Sequence, residues 1–347
     1  MPIRLSAFER LVLLKAHLGP GPMVDLLSAL GFKACVTALK LGVFRTLGNS
    51  ALTAGEVAAA IGADARGVAM LLEALTALGY VEKRKERFEN SAMTRHWLLA
   101  SGAADLSELF FQFDDMLKRW DYLDETVRKG TPPSLGWEWL DAHAGSWAHY
   151  QEGLGSTARL MEREILARAR IPSSAKRLLD LGGGHGMYSV LFCRQMPALR
   201  ATVLDWGAAR PTAEANISRE GLADRVAFRE GDFLEGDLPG GADVVLLFNV
   251  IRILTPPSLR ELLRKIHAAL APGGALLIMD HLGARPRSPF VKANSDLILL
   301  ELYNSTTGQT HAGPEVAGWL RDLRFAPVKQ MSLARSPGLG MIRAVRA

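Results

Sequence analysis

The sequence predicts an α/β protein with two domains, a mostly helical N-terminal domain and a doubly wound parallel β-sheet. Three observations lead to this prediction. The chain has 347 residues, which is long for one hydrophobic core. Buried strand patterns alternate with helical patterns through residues 173–347. Within that region, a glycine cluster at 182–186 lies between two apolar runs, which is typical of a strand, a tight turn and a helix.

The composition narrows the class of protein. Hydrophobic residues make up 48% of the chain, and 41 Lys and Arg against 36 Asp and Glu give a net charge of +5, as expected of an ordinary solvated surface. The two cysteines, Cys35 and Cys193, lie in apolar stretches, which argues against a disulfide framework. No apolar run approaches the roughly 18 residues of a membrane span. We therefore expect a cytoplasmic protein without a membrane or nucleic-acid partner.

The N-terminal domain is predicted to cover residues 1–105. Apolar positions at helical spacing over 5–48, with breaks at 19–22 and at Gly31, predict two or three short helices. After them, Thr53 and Glu56 have the spacing of a capping box that opens a helix.

The next stretch completes a winged helix. Asp64 is the expected N-cap of a second helix, which ends at Gly79, and residues 80–89 predict a two-stranded hairpin. A winged helix could bind DNA through its basic hairpin. The helix predicted over 65–78 has almost no side chain that reads a base edge, so helix packing explains it better.

Residues 106–172 are predicted to form a helical linker that also lines an acceptor pocket. The stretch 106–150 is rich in aromatic residues, which ordinary core packing and a pocket for a flat substrate explain equally well. Helical spacing over 151–171 then leads into the glycine cluster.

The predicted sheet domain covers residues 173–347. Thr255 followed by Pro256 predicts the start of a helix. We expect two late strands to form an antiparallel hairpin at the edge of the sheet. The predicted strands are 177–181, 201–205, 225–228 running on to 231–233, 242–249, 274–279, 326–333 and 341–345.

The glycine cluster suits a nucleotide-type cofactor. Gly182, Gly184 and Gly186 allow a sharp turn and close approach of a ligand. The third glycine of a dinucleotide fingerprint is replaced by Met187, and the Gly-Lys-Ser/Thr ending of a triphosphate loop is missing. Asp180, at the end of the preceding strand, is placed to meet a cationic group.

Acidic residues also end the next two predicted strands. Ligands of open α/β sheets bind at the carboxyl ends of the strands, where the strand order reverses. Asp205 could accept hydrogen bonds from both ribose hydroxyls of a nucleoside, and Asp232 from an adenine amino group that lies against Phe233. Each acid could instead cap a helix.

Residues 147–347 resemble the small-molecule O-methyltransferases that include plant phenolic enzymes and bacterial antibiotic-tailoring enzymes, and residues 35–100 resemble their dimerisation domain. The resemblance implies a class I, Rossmann-like methyltransferase sheet, S-adenosylmethionine as cofactor, a homodimer and a small-molecule acceptor. It places cofactor contacts on the glycine loop, Asp205, Asp232 and Phe233. The segment from Tyr150 to Leu154 resembles a family motif that lines the acceptor pocket, with Leu154 in place of a methionine.

The chain departs from the family after its fourth strand. The family usually has Leu-His-Asp-Trp there, with the histidine as general base, and this chain has Ile-Arg-Ile-Leu, with Arg252 at the histidine position. Arginine cannot accept a proton at neutral pH, but Arg252 could orient an acidic acceptor or lower the pKa of a phenol. Of the family's two supporting acids, Asp280 is kept and the other is replaced by Thr310. Phe248 replaces a lysine that often contacts the cofactor, and Asn249 follows it.

We therefore expect a methyltransferase that acts on a small aromatic or polycyclic acceptor, with Arg252 and Asp280 as catalytic residues and Tyr150, Leu154 and Arg252 as substrate residues. The cofactor residues are expected to be Asp180, Gly182, Gly184, Gly186, Asp205, Asp232, Phe233, Phe248 and Asn249. Oxygen is the acceptor atom that the resemblance implies, and nitrogen or carbon stays open because the histidine is replaced. Two alternatives are a ligand-sensing DNA-binding protein and a family member whose reaction is not methyl transfer.

Other chemistry is disfavoured. His149, His281 and His311 lie in candidate pocket segments, but a lone histidine is more often structural, and none is singled out as a base. No cluster has metal-ligand spacing, so we expect no metal, and the nucleophile elbow of serine hydrolases is missing.

Overall fold

The computed structural model describes residues 5–16, 18–99, 105–283, 288–333 and 338–347. It divides into two compact units, an N-terminal unit of Met1–Asp114 and a C-terminal unit of Asp115–Ala347. The division falls within a helix, so the predicted linker 106–172 contributes to both units. The three-part division with boundaries after residues 105 and 172 stays a prediction.

The N-terminal unit combines helices with a small antiparallel sheet of order β1-β3-β2. Its helices are α1 (Ala7–Arg10), α2 (Met23–Lys40), α3 (Val43–Leu47), α4 (Ala54–Ile61), α5 (Ala65–Ala77), α6 (Ala92–Trp97) and the start of α7 (Ser107–Arg119), with a π-helical turn at Leu11–Lys15. Its strands are β1 (Leu52–Thr53), β2 (Val81–Arg84) and β3 (Arg87–Asn90). The predicted caps are confirmed: Thr53 and Glu56 form a capping box at α4, and Asp64 caps α5.

The predicted break at Gly31 is wrong. Gly31 lies inside α2 and is buried. A Cβ on it would lie 3.0 Å from Cδ2 of Leu78. The glycine therefore allows close helix packing, which outweighs its low helix propensity.

The C-terminal unit is a seven-stranded sheet with helices on both faces. Its helices are α8 (Leu123–Lys129), α9 (Gly136–Ala142), α10 (Ser146–Ala169), α11 (Met187–Gln195), α12 (Arg210–Arg219), α13 (Pro256–Ala269), α14 (Pro289–Tyr303) and α15 (Gly313–Asp322). Its strands are β4 (Arg177–Leu181), β5 (Arg200–Asp205), β6 (Val226–Glu230), β7 (Ala242–Phe248), β8 (Leu270–His281), β9 (Phe325–Ser332) and β10 (Leu339–Arg346). Short 3₁₀ turns lie at Trp120–Tyr122, Gly207–Ala209 and Ile251–Ile253.

The strand order is β6-β5-β4-β7-β8-β10-β9. The five strands from β6 to β8 are parallel, and β10 is antiparallel to both of its neighbours. The predicted fold class and the predicted edge hairpin are thus confirmed. Because the order reverses between β4 and β7, a crevice is expected at their carboxyl ends.

Both faces of this sheet are buried. Leu178 packs with one hydrophobic core and its neighbour Leu179 with the other, as strand geometry requires. Such a sheet carries near-continuous apolar strands, which is why these strands were readable from the sequence. Within the described ranges, no helix has the length and apolar character needed to cross a membrane.

Candidate active site

The loop between β4 and α11 leaves little room for a side chain at two of its glycines. Gly182, Gly184 and Gly186 all have positive φ angles, of 66°, 44° and 72°. A Cβ on Gly182 would lie 2.6 Å from Cγ2 of Val250, and one on Gly184 would lie 2.5 Å from Oε1 of Gln151. The backbone conformation therefore favours glycine at all three positions, and close neighbours also favour it at Gly182 and Gly184.

Asp205, at the end of β5, is tied to this loop. Its Oδ2 accepts a hydrogen bond of 2.7 Å from the backbone N–H of Gly184, and its Oδ1 accepts one of 2.7 Å from that of Trp206. Burial raises the pKa of Asp205, the two hydrogen bonds oppose this, and the charge of Asp232 adds to it. The structure thus brings two of the predicted cofactor residues, Gly184 and Asp205, into contact.

Asp180, on β4, is fully buried. Its Oδ2 accepts a hydrogen bond of 2.8 Å from Oγ of Ser189, and its Oδ1 has no partner among the described residues. Burial raises the pKa of Asp180 to about 7, with Ser189 lowering it and Asp205 raising it further. A buried carboxyl group with an unused oxygen suits a cationic ligand.

Asp232 and Phe233 follow β6. Oδ1 of Asp232 accepts a hydrogen bond of 2.8 Å from the backbone N–H of Leu234, so Asp232 stabilises a turn and does not cap a helix. The buried ring of Phe233 lies beside the glycine loop, since its Cε1 would be 3.4 Å from a Cβ on Gly182. The buried Lys265 donates a hydrogen bond of 2.9 Å to the backbone oxygen of Phe233, a contact that the sequence did not reveal.

Phe248 and Asn249 lie at the end of β7. The ring of Phe248 meets that of Tyr188 edge to face, with 4.9 Å between centroids. The side-chain oxygen of Asn249 accepts a hydrogen bond from Arg252, and the Asn249 side chain also bonds Tyr188. Burial raises the pKa of Tyr188, so its phenol stays neutral. Asn249 therefore links the helix after the glycine loop to Arg252.

Arg252 forms an ion pair with Asp280. Its Nε lies 3.1 Å from Oδ1 of Asp280, and its backbone N–H donates to Oδ2 at 3.2 Å. The Asp280 side chain is fully buried and also accepts a hydrogen bond of 2.8 Å from the backbone N–H of His281. Arg252 therefore pairs with a buried acid and does not extend to solvent or to a surface acid.

The first turns of α10 carry Tyr150 and Leu154, which lie on one helix face because they are four residues apart. Burial raises the pKa of Tyr150, and the positive charges of Arg252 and Arg119 oppose this. The predicted substrate residues Tyr150 and Arg252 are thus close enough to interact electrostatically.

A second buried ion pair, which was not predicted from the sequence, lies near Tyr150. Nη2 of Arg119 lies 2.5 Å from Oε1 of Glu301, and Nε1 of Trp120 donates to Oε2 at 2.5 Å. Burial raises the pKa of Glu301, and Arg119 opposes this. The aromatic stretch 106–150 contributes to ordinary core packing as well, since Phe110 packs against the core of the N-terminal unit.

Two of the three candidate histidines have side-chain partners. Nδ1 of His149 lies 2.8 Å from Oδ2 of Asp115, and Nε2 of the buried His311 lies 2.9 Å from the backbone oxygen of Leu254. Burial lowers the pKa of His281 to about 4, and the charge of Arg252 adds to this. Thr310 is exposed. The described residues contain no group of three or more His, Cys, Asp or Glu that could hold a metal ion.

The site fits an adenosyl ligand with an amino-acid end. The glycine loop forms a cradle that a Cβ would fill, Asp205 offers a carboxylate beside it, and Asp180 has an unsatisfied oxygen below it. A glycine loop followed by acids at successive strand ends, on a sheet of this order, is the arrangement expected from the resemblance to class I S-adenosylmethionine-dependent methyltransferases.

The chain belongs to the O-methyltransferase family. The family's O-methyltransferase domain matches residues 120–320, and its O-methyltransferase dimerisation domain matches residues 25–100. Both matches agree with the resemblance that the sequence predicted.

Three known proteins show the range of similarity. The 3-hydroxy-5-methyl-1-naphthoate 3-O-methyltransferase of Streptomyces sahachiroi is 29% identical over 338 residues, which is 94% of this chain and 96% of the relative. Aclacinomycin 10-hydroxylase RdmB of Streptomyces purpurascens is 33% identical over 195 residues, which is 54% of this chain and 49% of the relative. The crystal structure of human N-acetylserotonin methyltransferase in complex with S-adenosylmethionine has a TM-score of 0.80 at 22% identity, over 96% of this chain and 98% of that chain. The protein is thus an S-adenosylmethionine-dependent methyltransferase.

Proposed function

We propose that the enzyme transfers the methyl group of S-adenosylmethionine to a hydroxyl oxygen of a small aromatic or polycyclic acceptor. The observation that carries the proposal is the pair of Arg252 with the buried Asp280, together with the effect of the Arg252 charge on the nearby Tyr150. A cation and an aromatic ring in the same region suit a flat acceptor with an acidic hydroxyl group. The similarity to the naphthoate O-methyltransferase supports the same acceptor class.

The cofactor would be held by the predicted residues. The glycine loop would follow its amino-acid end, Asp180 would meet the ammonium group, and Asp205 would accept hydrogen bonds from the ribose. Asp232 and Phe233 would contact adenine. Phe248 and Asn249 would form the wall next to the acceptor, because the Asn249 side chain bonds Arg252.

The cofactor supplies a methyl group on a positively charged sulfur, whose leaving group is a neutral thioether. The protein has to align the acceptor oxygen and exclude water, and such alignment is worth about 7 kcal/mol or more. A covalent intermediate is not required.

Arg252 would stabilise the negative charge that develops on the acceptor oxygen. A guanidinium group beside a phenol lowers its pKa, so the ionised oxygen is available without a histidine base. Asp280 positions Arg252 and is not a free base, because both of its oxygens already accept hydrogen bonds.

The experiment measures transfer of radiolabelled methyl groups to a panel of hydroxynaphthoates. Arg252→Ala and Arg252→His are expected to lower kcat/KM at least tenfold, about 1.4 kcal/mol. The matched control is Arg264→Ala on α13, where the side chain is exposed and pairs with Glu261. Wild-type rates in both Arg252 variants would remove Arg252 from the mechanism, and a gain of activity in Arg252→His would show that a base is needed there.

We also propose a homodimer, built through the N-terminal unit. Several large apolar side chains on α1 and α2 are exposed within this unit, and the dimerisation domain matches here. These side chains are Phe8, Met23, Leu26, Leu27 and Leu30.

The alternative of a DNA-binding protein depends on the basic hairpin of the same unit, and the ion pairs of this hairpin argue against it. Three of the four basic residues of the hairpin are paired with acids: Lys83 with Glu73, Arg84 with Glu89 and Arg87 with Glu56. A neutralised hairpin offers few free charges to phosphates.

The second candidate is a reaction other than methyl transfer with the same cofactor. The similarity to a hydroxylase over about half of the chain favours it, together with the missing histidine. The radiolabel experiment separates the two, because only methyl transfer labels the acceptor.

A further inference from the structure

Two buried hydrogen-bond acceptors without a partner lie against adjacent glycines of the cofactor loop. Oδ1 of Asp180 and Oε1 of Gln151 are both unsatisfied among the described residues. Asp180 is fully buried and Gln151 is 4% exposed. The Asp180 carboxyl carbon would lie 2.5 Å from a Cβ on Gly183, and Oε1 of Gln151 would lie 2.5 Å from a Cβ on Gly184.

Gln151 reaches the loop because α10 packs closely against it. Gly155 lies one turn after Gln151 and therefore on the same helix face. A Cβ on Gly155 would lie 3.6 Å from Cγ of Met187 and 3.7 Å from Cγ of His185, so this face touches the end of the loop. The amide of Gln151 is thereby fixed beside Gly184.

The two unsatisfied atoms share one chemical property. A carboxyl oxygen and an amide oxygen both accept hydrogen bonds, and native proteins rarely leave such buried groups without a donor. No described lysine or arginine donates to either atom. The ligand that satisfies both must therefore carry several donors, which an ammonium group does.

We propose that Gln151 is a cofactor-binding residue, whose amide oxygen holds the α-ammonium group of the cofactor together with Asp180. This inference rests on the proposed cofactor site. Asp205 accepts a hydrogen bond from the backbone N–H of Gly184, and its carboxylate suits the ribose. Burial raises the pKa of Asp180, and a cationic ligand beside it would favour the ionised form.

The test compares two ligands that differ in the amino-acid end. S-adenosylhomocysteine carries the α-ammonium group, and 5′-methylthioadenosine has the same adenosine and sulfur without it. Gln151→Leu is expected to weaken S-adenosylhomocysteine about tenfold, or 1.4 kcal/mol, and to leave the Kd of 5′-methylthioadenosine within about twofold, as measured by calorimetry. A general structural role would weaken both ligands equally.

Two control variants are measured with the same two ligands. Phe233→Leu, at the proposed adenine contact, should weaken both ligands alike. Gln195→Leu makes the same chemical change at an exposed position at the end of α11 and should weaken neither ligand. Gln151→Met keeps the length of the side chain, and is measured in the same way if the leucine variant fails to fold.

The outcomes separate this inference from the proposed function. If the wild-type protein binds neither ligand, the proposed cofactor site is wrong. If the wild type binds both, and the Gln151 variants lose neither ligand or lose both equally, Gln151 does not hold the ammonium group and the cofactor site stands.

Discussion

The carboxyl groups of the site differ in how many hydrogen-bond donors the protein supplies to them. Asp280 accepts two backbone hydrogen bonds and pairs with Arg252, and Asp205 accepts two backbone hydrogen bonds. Asp180 accepts a hydrogen bond from the hydroxyl of Ser189 through one oxygen, and its other oxygen has no partner among the described residues. A carboxyl group with several hydrogen-bond donors serves as a fixed charge. A buried carboxyl group with an oxygen that has no donor is suited to bind a ligand that supplies one.

The state of Asp180 predicts how cofactor affinity depends on pH. Burial raises its pKa to about 7, and an ammonium ligand binds the ionised form. The affinity for S-adenosylhomocysteine should therefore rise with pH up to about 7 and level off above it. Calorimetry between about pH 5.5 and pH 8 measures this, and Asp180→Asn should bind more weakly with a flat profile. The same pH dependence in the variant would assign the titration to another group.

The stability of the ligand-free protein should depend on pH in the opposite direction, so that it falls as the pH rises. The unfolded chain loses the Asp180 proton at about pH 3.9, well below the folded protein. Between about pH 4 and pH 7 the folded state holds more protons, so its free energy of unfolding falls as the pH rises. Asp180→Asn should remove that part of the decline in thermal unfolding experiments.

At this scale the acids that the sequence itself indicated lie at or just after strand ends, and Tyr150 and Leu154 on α10 came from the family resemblance. Asp180 and Asp205 could be predicted because a strand end fixes where its side chain lies. Gln151, Lys265 and the pair of Arg119 with Glu301 could not, because they reach the site through the packing of helices that are distant in sequence.

The element that organises the site is the turn from β4 to α11. Its three glycines were readable because a strand pattern precedes them and a helical pattern follows. The helix starts at Thr53, Asp64 and Thr255 were readable from their caps. Gly31 misled the prediction, because a glycine that allows close packing has the same sequence signature as a helix break.

Gly184→Ala tests the turn. The new Cβ would lie 2.5 Å from Oε1 of Gln151, and the backbone would keep a positive φ of 44°. We expect cofactor affinity to fall at least tenfold, about 1.4 kcal/mol, in calorimetry. Gly62→Ala is the matched control, because Gly62 has a φ of 64° and a Cβ added there would have no atom within 4 Å. It should cost about 1–2 kcal/mol of stability and leave the affinity unchanged. Equal affinity losses in both variants would contradict this interpretation of the loop.

On the scale of the whole molecule, the order of strands and helices was predictable because the central strands β4, β7 and β8 are buried on both faces. The antiparallel hairpin of β9 and β10 was also predicted and agrees with the observed sheet. The acceptor could not be predicted, because the proposed substrate residues are single side chains from separate elements, such as Tyr150 on α10 and Arg252 in the turn after β7.

The N-terminal unit should form a dimer and no specific DNA complex. Leu26 and Leu30 are exposed on one face of α2, so Leu26→Lys combined with Leu30→Lys should shift the protein toward monomer in sedimentation. Mobility shifts with duplex DNA should appear at low salt alone. A sequence-specific complex that survives physiological salt, or a wild-type protein that is a monomer, would overturn this prediction.

The central claim is that the glycine loop and Asp205 bind S-adenosylmethionine, and calorimetric titration of the purified protein tests it most directly. We predict micromolar binding of S-adenosylmethionine and S-adenosylhomocysteine, weakened at least tenfold, about 1.4 kcal/mol, in Asp205→Ala. NAD should give no binding heat, because Met187 replaces the third glycine of its fingerprint. No binding of either sulfur ligand, or wild-type affinity in Asp205→Ala, would contradict the account.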